Sequence, residues 1–391
     1  MKLYISQAPK QISNFAKEFN FETLRPYYDS ESKEVMNRLA YYETYYKAMA
    51  FLWPEMTKEQ MIEKALNTKS PYEFQTGYMR DAIWKIVNST STGLTWSGLE
   101  NLDRNKAYLY IANHRDILLD SAILQIILDK EEFETSEITF GSNLMEEGFI
   151  TDFGRMNRMF TVKREGNVKE LYDISRQLSA YIRHVILDKN TSVWIAQRNG
   201  RTKDGSDITQ TGLLKMLNLS GDADFKKSFS ELNIVPLTIS FEYEPCDNLK
   251  VQELYLSSLH TKYVKAPGED LNSILTGIKQ PKGKIHVAFG KPIKEELAEI
   301  DKVTNENEKI KLLAAQIDKC IYQNYKLNPV NYIAYDLLNQ TNIFENNYTQ
   351  TEKESFLNYI SQKIKAMTGE AEVLKNLFLT MYANPVVNKL K

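Results

Sequence analysis

Within eight residues the chain places an imidazole and two carboxylates: Asn113-His114-Arg115-Asp116, then Asp120. The sequence has only four histidines, and this one ends an apolar run, Tyr108-Leu109-Tyr110-Ile111-Ala112, that reads as a buried strand. The residues after it, Ile117-Leu118-Leu119-Asp120-Ser121-Ala122, read as the start of a helix. A histidine at such a junction is fixed by the fold yet near its rim, where chemistry is commonly placed. With an ordinary pKa of about 6.5 it can take a proton from a hydroxyl at neutral pH. A carboxylate in the next turn can hold its tautomer and stabilise the imidazolium. Asp120 is six positions on, beyond ideal helical spacing, but within reach if His114 lies on the turn before the helix. Asp116 can serve instead, or can cap the helix. A purely structural junction, with both aspartates as caps, fits the local sequence equally well.

Three further stretches carry charge or shape suited to an anion. In Phe153-Gly154-Arg155-Met156-Asn157-Arg158-Met159-Phe160-Thr161-Val162-Lys163-Arg164, four cations bracket a short apolar strand. They suit a phosphate or a solvated rim. In Val193-Trp194-Ile195-Ala196-Gln197-Arg198-Asn199-Gly200-Arg201-Thr202-Lys203-Asp204-Gly205, a buried strand empties into a loop with two glycines and several cations. Glycine lets a backbone approach a ligand closely. Ile234-Val235-Pro236-Leu237-Thr238-Ile239-Ser240 is a strand with an early proline, expected at a sheet edge or among a strand's first residues.

Other chemistries are excluded. His114-Arg115-Asp116 and Asp152-Phe153-Gly154 spell two protein-kinase triplets. The asparagine a kinase needs seven residues after the histidine is Ser121, and no glycine-rich loop lies upstream. There is no P-loop and no Gly-x-Ser-x-Gly elbow. Cys246 and Cys320 are the only cysteines, so neither a disulfide framework nor a zinc site is expected, and no metal is called for. Lys+Arg 49 against Asp+Glu 51 gives a net charge of -2, which argues against a broad nucleic-acid binder.

The elements that must position these residues follow from periodicity. Residues 1–20 read as a tail or short helix. A helix starts near Asp29-Ser30 with Val35, Met36, Leu39 and Tyr42 on one face, Pro54 ends the next apolar run, and Thr57 with Gln60 forms a capping box. A further helical stretch covers Tyr78 to Val87, and the turn-rich residues 88–98 read as a boundary. Strands are expected at Ala107–Ala112, Ile138–Phe140, Met159–Val162, Val193–Ala196, Ile234–Phe241 and Ile285–Phe289, with helices at Leu118–Leu128 and Leu171–Leu187 between them. That alternation predicts an α/β fold with a mostly parallel mixed sheet flanked by helices. Helices return at Lys309–Tyr325 and after a cap at Thr351 and Glu354. The predicted organisation is a helical N-terminal subdomain at 1–92, an α/β domain at 93–298 and a C-terminal helical extension at 299–391. No signal peptide and no spanning apolar run is present, so a cytoplasmic protein is expected, free or peripheral on the inner membrane face.

In order and together, the four stretches resemble the glycerolipid acyltransferases, the glycerol-3-phosphate and 1-acylglycerol-3-phosphate acyltransferases. Asn113-His114 begins the Asn-His-x4-Asp motif, Gly154-Arg155 to Lys163-Arg164 is similar to the second, Gly200-Arg201-Thr202 to the third and Val235-Pro236 to the last. Val287-Ala288-Phe289-Gly290-Lys291-Pro292-Ile293 resembles the family's closing strand and turn. The likeness covers about 95–295. His114–Asp120 and Arg201–Gly205 look like a soluble bacterial branch, and the N-terminal helical segment is similar to that of the plastid-type enzymes. Two departures stand out. Five residues separate His114 from Asp120, so Leu119 occupies the motif's aspartate position, and Arg198-Asn199 replaces the acidic residue before the third motif's glycine.

The resemblance implies acyl transfer with His114 as base and Asp120 or Asp116 assisting. It implies Arg155, Lys163, Arg164, Gly200, Arg201, Thr202 and Lys203 around the acceptor phosphate, and Asn113, Val235 and Pro236 at an acyl or acceptor pocket. The donor would be acyl-CoA or acyl carrier protein as co-substrate, with no bound cofactor. The acceptor would be a glycerol phosphate or lysolipid, 1-acylglycerol-3-phosphate foremost, with a membrane surface as a candidate partner and no nucleic acid. The departures keep open a lipid-binding protein that has lost the activity.

Overall fold

Period-two burial in the short strands builds the sheet. Tyr108, Tyr110 and Ala112 join one apolar cluster and Leu109 and Ile111 another, as side chains alternating across a pleated strand must. The computed structural model describes residues 18–141, 148–162, 166–259 and 263–391. In chain order come α1 (Asp29–Tyr41), α2 (Glu43–Leu52), α3 (Lys58–Leu66), α4 (Arg80–Thr90), β1 (Ser91–Ser97), β2 (Leu109–Ala112), α5 (Leu119–Lys130), β3 (Glu137–Gly141), α6 (Phe149–Met156), β4 (Met159–Val162), α7 (Val168–Arg183), β5 (Val193–Ala196), α8 (Thr211–Asn218), β6 (Ile234–Phe241), α9 (Asp247–Leu259), α10 (Glu269–Lys279), β7 (Gly283–Phe289), α11 (Glu306–Gln323), α12 (Pro329–Asn339), α13 (Gln350–Lys365) and α14 (Ala371–Lys389).

The seven strands form one sheet in the order β1-β7-β6-β2-β5-β3-β4. The β2–β6 block is parallel, β7 runs antiparallel to β6, and β1 is parallel to β7. The sheet is therefore mixed and mostly parallel. The C-terminal ends of β2, β5 and β6 meet at one edge, where open α/β sheets bind ligands. Helices α1 to α5 cover one face in a single apolar cluster with the sheet. Helix α5 is buried all round from Leu119 to Leu128, as a helix between two layers must be. Helices α7, α8 and α11 cover the other face, and α9, α12, α13 and α14 form a third cluster beside the sheet.

Several local expectations hold. Thr57 and Gln60 form the capping box of α3, with the Gln60 N–H donating to Thr57 Oγ1 at 3.3 Å and the Thr57 N–H to Gln60 Oε1 at 2.8 Å. Others need correction. The turn-rich stretch 88–98, read as a boundary without a strand, is where helix α4 gives way to edge strand β1, whose partner β7 lies almost 200 residues away. Its Ser, Thr and Gly content fits a half-exposed edge. The cap of α13 is Thr349 with Glu352, not Thr351 with Glu354. Of the two placements expected for Pro236, the structure has the second: it is the third residue of β6, a strand inside the sheet. Its carbonyl accepts the Gly290 N–H at 2.8 Å, and β6 pairs with β7 only from Leu237 onward. The N–H that proline lacks thus faces a neighbour strand that has already ended.

Candidate active site

Strand β2 delivers the chain to the sheet's C-terminal edge, and a six-residue turn, 113–118, leads into α5. His114 is on that turn. Its Nδ1 lies 2.9 Å from Asp120 Oδ2. The same oxygen accepts the backbone N–H of Arg115 at 2.6 Å and of Asp116 at 2.9 Å. An oxygen already accepting two N–H groups takes a third from the ring, so Nδ1 carries the hydrogen of the neutral imidazole. The ring packs edge-on to Trp194 of β5, centroids 6.0 Å apart. Burial pushes the Asp120 carboxyl well above its ordinary range, and the Asp116 charge adds to this. The two backbone N–H groups and the Lys250 ammonium oppose it.

The extra residue between His114 and Asp120 is absorbed by the turn. Leu119, at the position where the motif has its acid, is fully buried in the apolar layer. A carboxylate there would lose its hydration without gaining a partner, at a cost of several kcal/mol. Asp116 has a different post. Its Oδ1 accepts the N–H groups of Leu118 at 2.9 Å and Leu119 at 2.8 Å, capping the entry to α5. Its Oδ2 is turned toward Gly277 of α10, where a Cβ would come within 2.3 Å.

The loop after β5 joins the site through its backbone. The Thr202 N–H donates to the His114 carbonyl at 2.8 Å. Gly200 turns the loop with φ +72°, a conformation glycine adopts without strain. Gly205 packs against α14, where a Cβ would meet the Met381 carbonyl at 2.4 Å. Arg201 points inward and is 6 % exposed. Its Nη2 donates to Ser273 Oγ of α10 at 3.1 Å, while its buried Nη1 has no hydrogen-bond partner among the described residues. Lys203 pairs with Glu253 of α9 at 2.5 Å. Burial lowers its ammonium to about 8, against the pull of Glu253, and Arg201 and Lys265 add to the lowering. Thr202 Oγ1 donates to Asp204 at 3.2 Å.

Other sequence expectations are not met by the geometry. Arg155 is not brought to His114. Helix α6 leads back to the N-terminal end of β4, and Arg155 there donates to the carbonyls of Arg25 at 2.8 Å and Glu22 at 3.1 Å, its guanidinium over Tyr27. Lys163 and Arg164 lie outside the described residues. Asn113 is fully buried. Its amide donates to Asp207 and to the Ile239 carbonyl and its oxygen accepts the Ile239 N–H, which ties β2 to β6. Val235 and Pro236 are buried within β6, in register with Tyr110 and Ile111.

What the sequence reading missed is the buried charge behind the turn. Arg115 pairs with Asp207 at 2.5 Å and Glu244 at 3.0 Å, and Lys250 of α9 pairs with Glu244 at 2.5 Å. Tyr325 donates to Asp207 at 2.6 Å. These partners come from positions 92 to 135 residues away, a separation no local pattern can signal.

Residues 93–240 match the Acyltransferase family model. The matched span starts in β1 and ends in β6, and it contains His114, Asp120, Arg201 and Pro236. No curated protein matches the sequence. Among solved structures the chain is similar to the 1-acyl-sn-glycerophosphate (LPA) acyltransferase, PlsC, from Thermotoga maritima. Identity is 11% and the TM-score 0.39, over 75% of this chain and 94% of that one. The likeness to acyltransferases thus rests on the family model over residues 93–240. No described helix is long and apolar enough to cross a membrane.

Proposed function

We propose that the protein transfers a fatty acyl group from a thioester, on coenzyme A or acyl carrier protein, to the free hydroxyl of 1-acylglycerol-3-phosphate. The observation that carries this reading is the His114–Asp120 pair, hydrogen-bonded through the His114 carbonyl to a loop whose buried arginine has an unpartnered Nη1. With Nδ1 committed to Asp120, a proton taken from the acceptor hydroxyl arrives at Nε2. The alkoxide attacks the thioester carbonyl. The tetrahedral intermediate collapses, breaks the C–S bond, and the departing thiolate takes the proton back from the imidazolium. No covalent enzyme intermediate is needed. Asp120 stabilises the imidazolium meanwhile. Arg201 and Lys203 hold the acceptor phosphate, which makes the attack effectively intramolecular.

A lysolipid acceptor is the substrate that the motif resemblance names first, and glycerol 3-phosphate is its rival.

The test is acyl transfer from palmitoyl-coenzyme A and from palmitoyl-acyl carrier protein, each with either acceptor, for the wild type and Arg201→Ala. Product with lysophosphatidic acid is expected, with the acceptor KM raised about tenfold or more in Arg201→Ala, since a charge-assisted pair is lost. Turnover of glycerol 3-phosphate alone would move the acceptor assignment. Thioester cleavage in no tube would favour a lipid-binding protein on an acyltransferase fold.

The same assay reads Lys203. Its ammonium loses the proton as pH rises through about 8, so phosphate attraction is present below that value and fades above it. The acceptor KM should climb between pH 7 and 9. In Lys203→Arg, which stays charged, that climb should vanish. An unchanged pH profile in the arginine variant would remove Lys203 from phosphate binding.

A further inference from the structure

The backbone of one residue, Arg115, is held at both ends. Its N–H donates to Asp120 at 2.6 Å. Its carbonyl accepts from Lys250 Nζ at 2.6 Å. Its guanidinium is forked between Asp207 and Glu244. Lys250 comes from α9, outside the span that the family model matches, and its side chain is fully buried.

We propose that Lys250 is a positioning residue for acyl transfer: its ammonium holds the Arg115 carbonyl and so fixes the turn on which His114 meets Asp120. The proposal rests on the reading of His114 as the base.

Stability alone does not explain a lysine there. Taking an ammonium fully out of water is costly, and pairing with Glu244 at best offsets it. Well-packed apolar residues usually do as well or better. What an apolar residue lacks is a donor for the Arg115 carbonyl. Without one, that buried oxygen loses its partner and the turn is free to settle elsewhere.

The Lys250 charge also faces the pair. Around Asp120 and His114 stand Asp116 and Arg115 from the same turn, Asp207 from the loop after β5, Glu244 from the loop after β6, and Lys250 from α9. Of these, the Lys250 ammonium opposes the upward push that burial and Asp116 exert on the Asp120 carboxyl. Glu244 is in turn held low, because Arg115 and Lys250 outweigh its burial. The anchor reaches the C-terminal helices as well. The Glu244 N–H donates to the Tyr382 hydroxyl of α14 at 3.0 Å, and that hydroxyl donates to Asp247 at 2.9 Å.

The experiment replaces Lys250 by methionine in the full chain and reads two quantities. The first is the nuclear magnetic resonance signal of the His114 ring, observed with ring-labelled histidine. The four histidines give few signals, and His114→Gln identifies the one required. This signal does not depend on turnover, so it separates a failure of this proposal from a failure of the acyl-transfer reading. The second is kcat and KM in acyl transfer. Lys250→Met is expected to move the His114 signal and its titration midpoint while those of His184 and His286 stay, and to lower kcat at least about tenfold with the acceptor KM within about twofold. A general loss of stability would not select one histidine or split kcat from KM in this way. An unmoved His114 signal, or a kcat within about twofold of wild type, overturns the proposal. If the methionine variant does not fold, Glu244→Gln is read in the same way. It keeps the shape of the side chain but removes the charge that anchors Lys250, and an unmoved His114 signal there is equally an overturning result.

Discussion

Replacing His114 by alanine is expected to lower kcat for acyl transfer by about 10²- to 10⁴-fold, the range that a positioned general base contributes. The fold should survive. The ring is bonded to Asp120 at the rim of the sheet, and only 14% of its side chain is exposed, yet the backbone contacts that hold the turn do not pass through the imidazole. The Thr202 N–H still finds the residue-114 carbonyl. A thermal melt and the circular dichroism spectrum check folding, and a single-turnover assay checks chemistry. Retention of a near-wild-type rate would remove His114 from the reaction and with it the acyl-transfer mechanism drawn above.

The second large effect separates two aspartates four residues apart in sequence. Asp120→Asn should cost about 10²-fold or more in kcat, and Asp116→Asn should cost little in kcat. In the wild type one oxygen of Asp120 serves three N–H groups. An asparagine can turn its oxygen to the two backbone donors, but it then carries no charge to stabilise the imidazolium. Asparagine at 116 keeps an oxygen for the Leu118 and Leu119 N–H groups. The pH profile gives an independent reading. The Asp120 carboxyl is held above its ordinary range by burial and by Asp116. It therefore takes up a proton at a higher pH than an exposed aspartate would, and activity should begin to fall on the acid side correspondingly early. Asp120→Asn should change the shape of that limb, since an amide does not titrate and the imidazole alone is left to do so. Equal losses in the two variants would return the choice between Asp116 and Asp120 to an open question.

The short strands were legible because a buried strand writes its burial into consecutive residues. Val193–Ala196 and Ile234–Phe241 stand at the expected bounds. Strand β1 was not, since an edge strand with one exposed face has no such signature, and its only partner arrives with β7. The capping pair Thr349 and Glu352 was misplaced by two residues because Thr351 and Glu354 repeat the same spacing. Only the helix start decides between them.

Within the site, the sequence by itself determined the histidine, the two candidate carboxylates and the arginine loop. Those residues sit beside the strand ends that carry them, and strand ends are readable locally. The tertiary structure decided what each one touches. It brought Asp120 rather than Asp116 to the imidazole, because the six-residue turn absorbs one extra position and Leu119 is claimed by the core. It sent Arg155 to the Glu22 and Arg25 carbonyls, because α6 returns to the far end of β4. It put Arg115 between Asp207, Glu244 and Lys250. Such contacts join residues about a hundred positions apart, and they exist only once the sheet has brought the ends of β2, β5 and β6 to one edge. A charge pattern in sequence states which groups are available. Burial and three-dimensional distance fix which of them face each other, and at low dielectric that decides their energy.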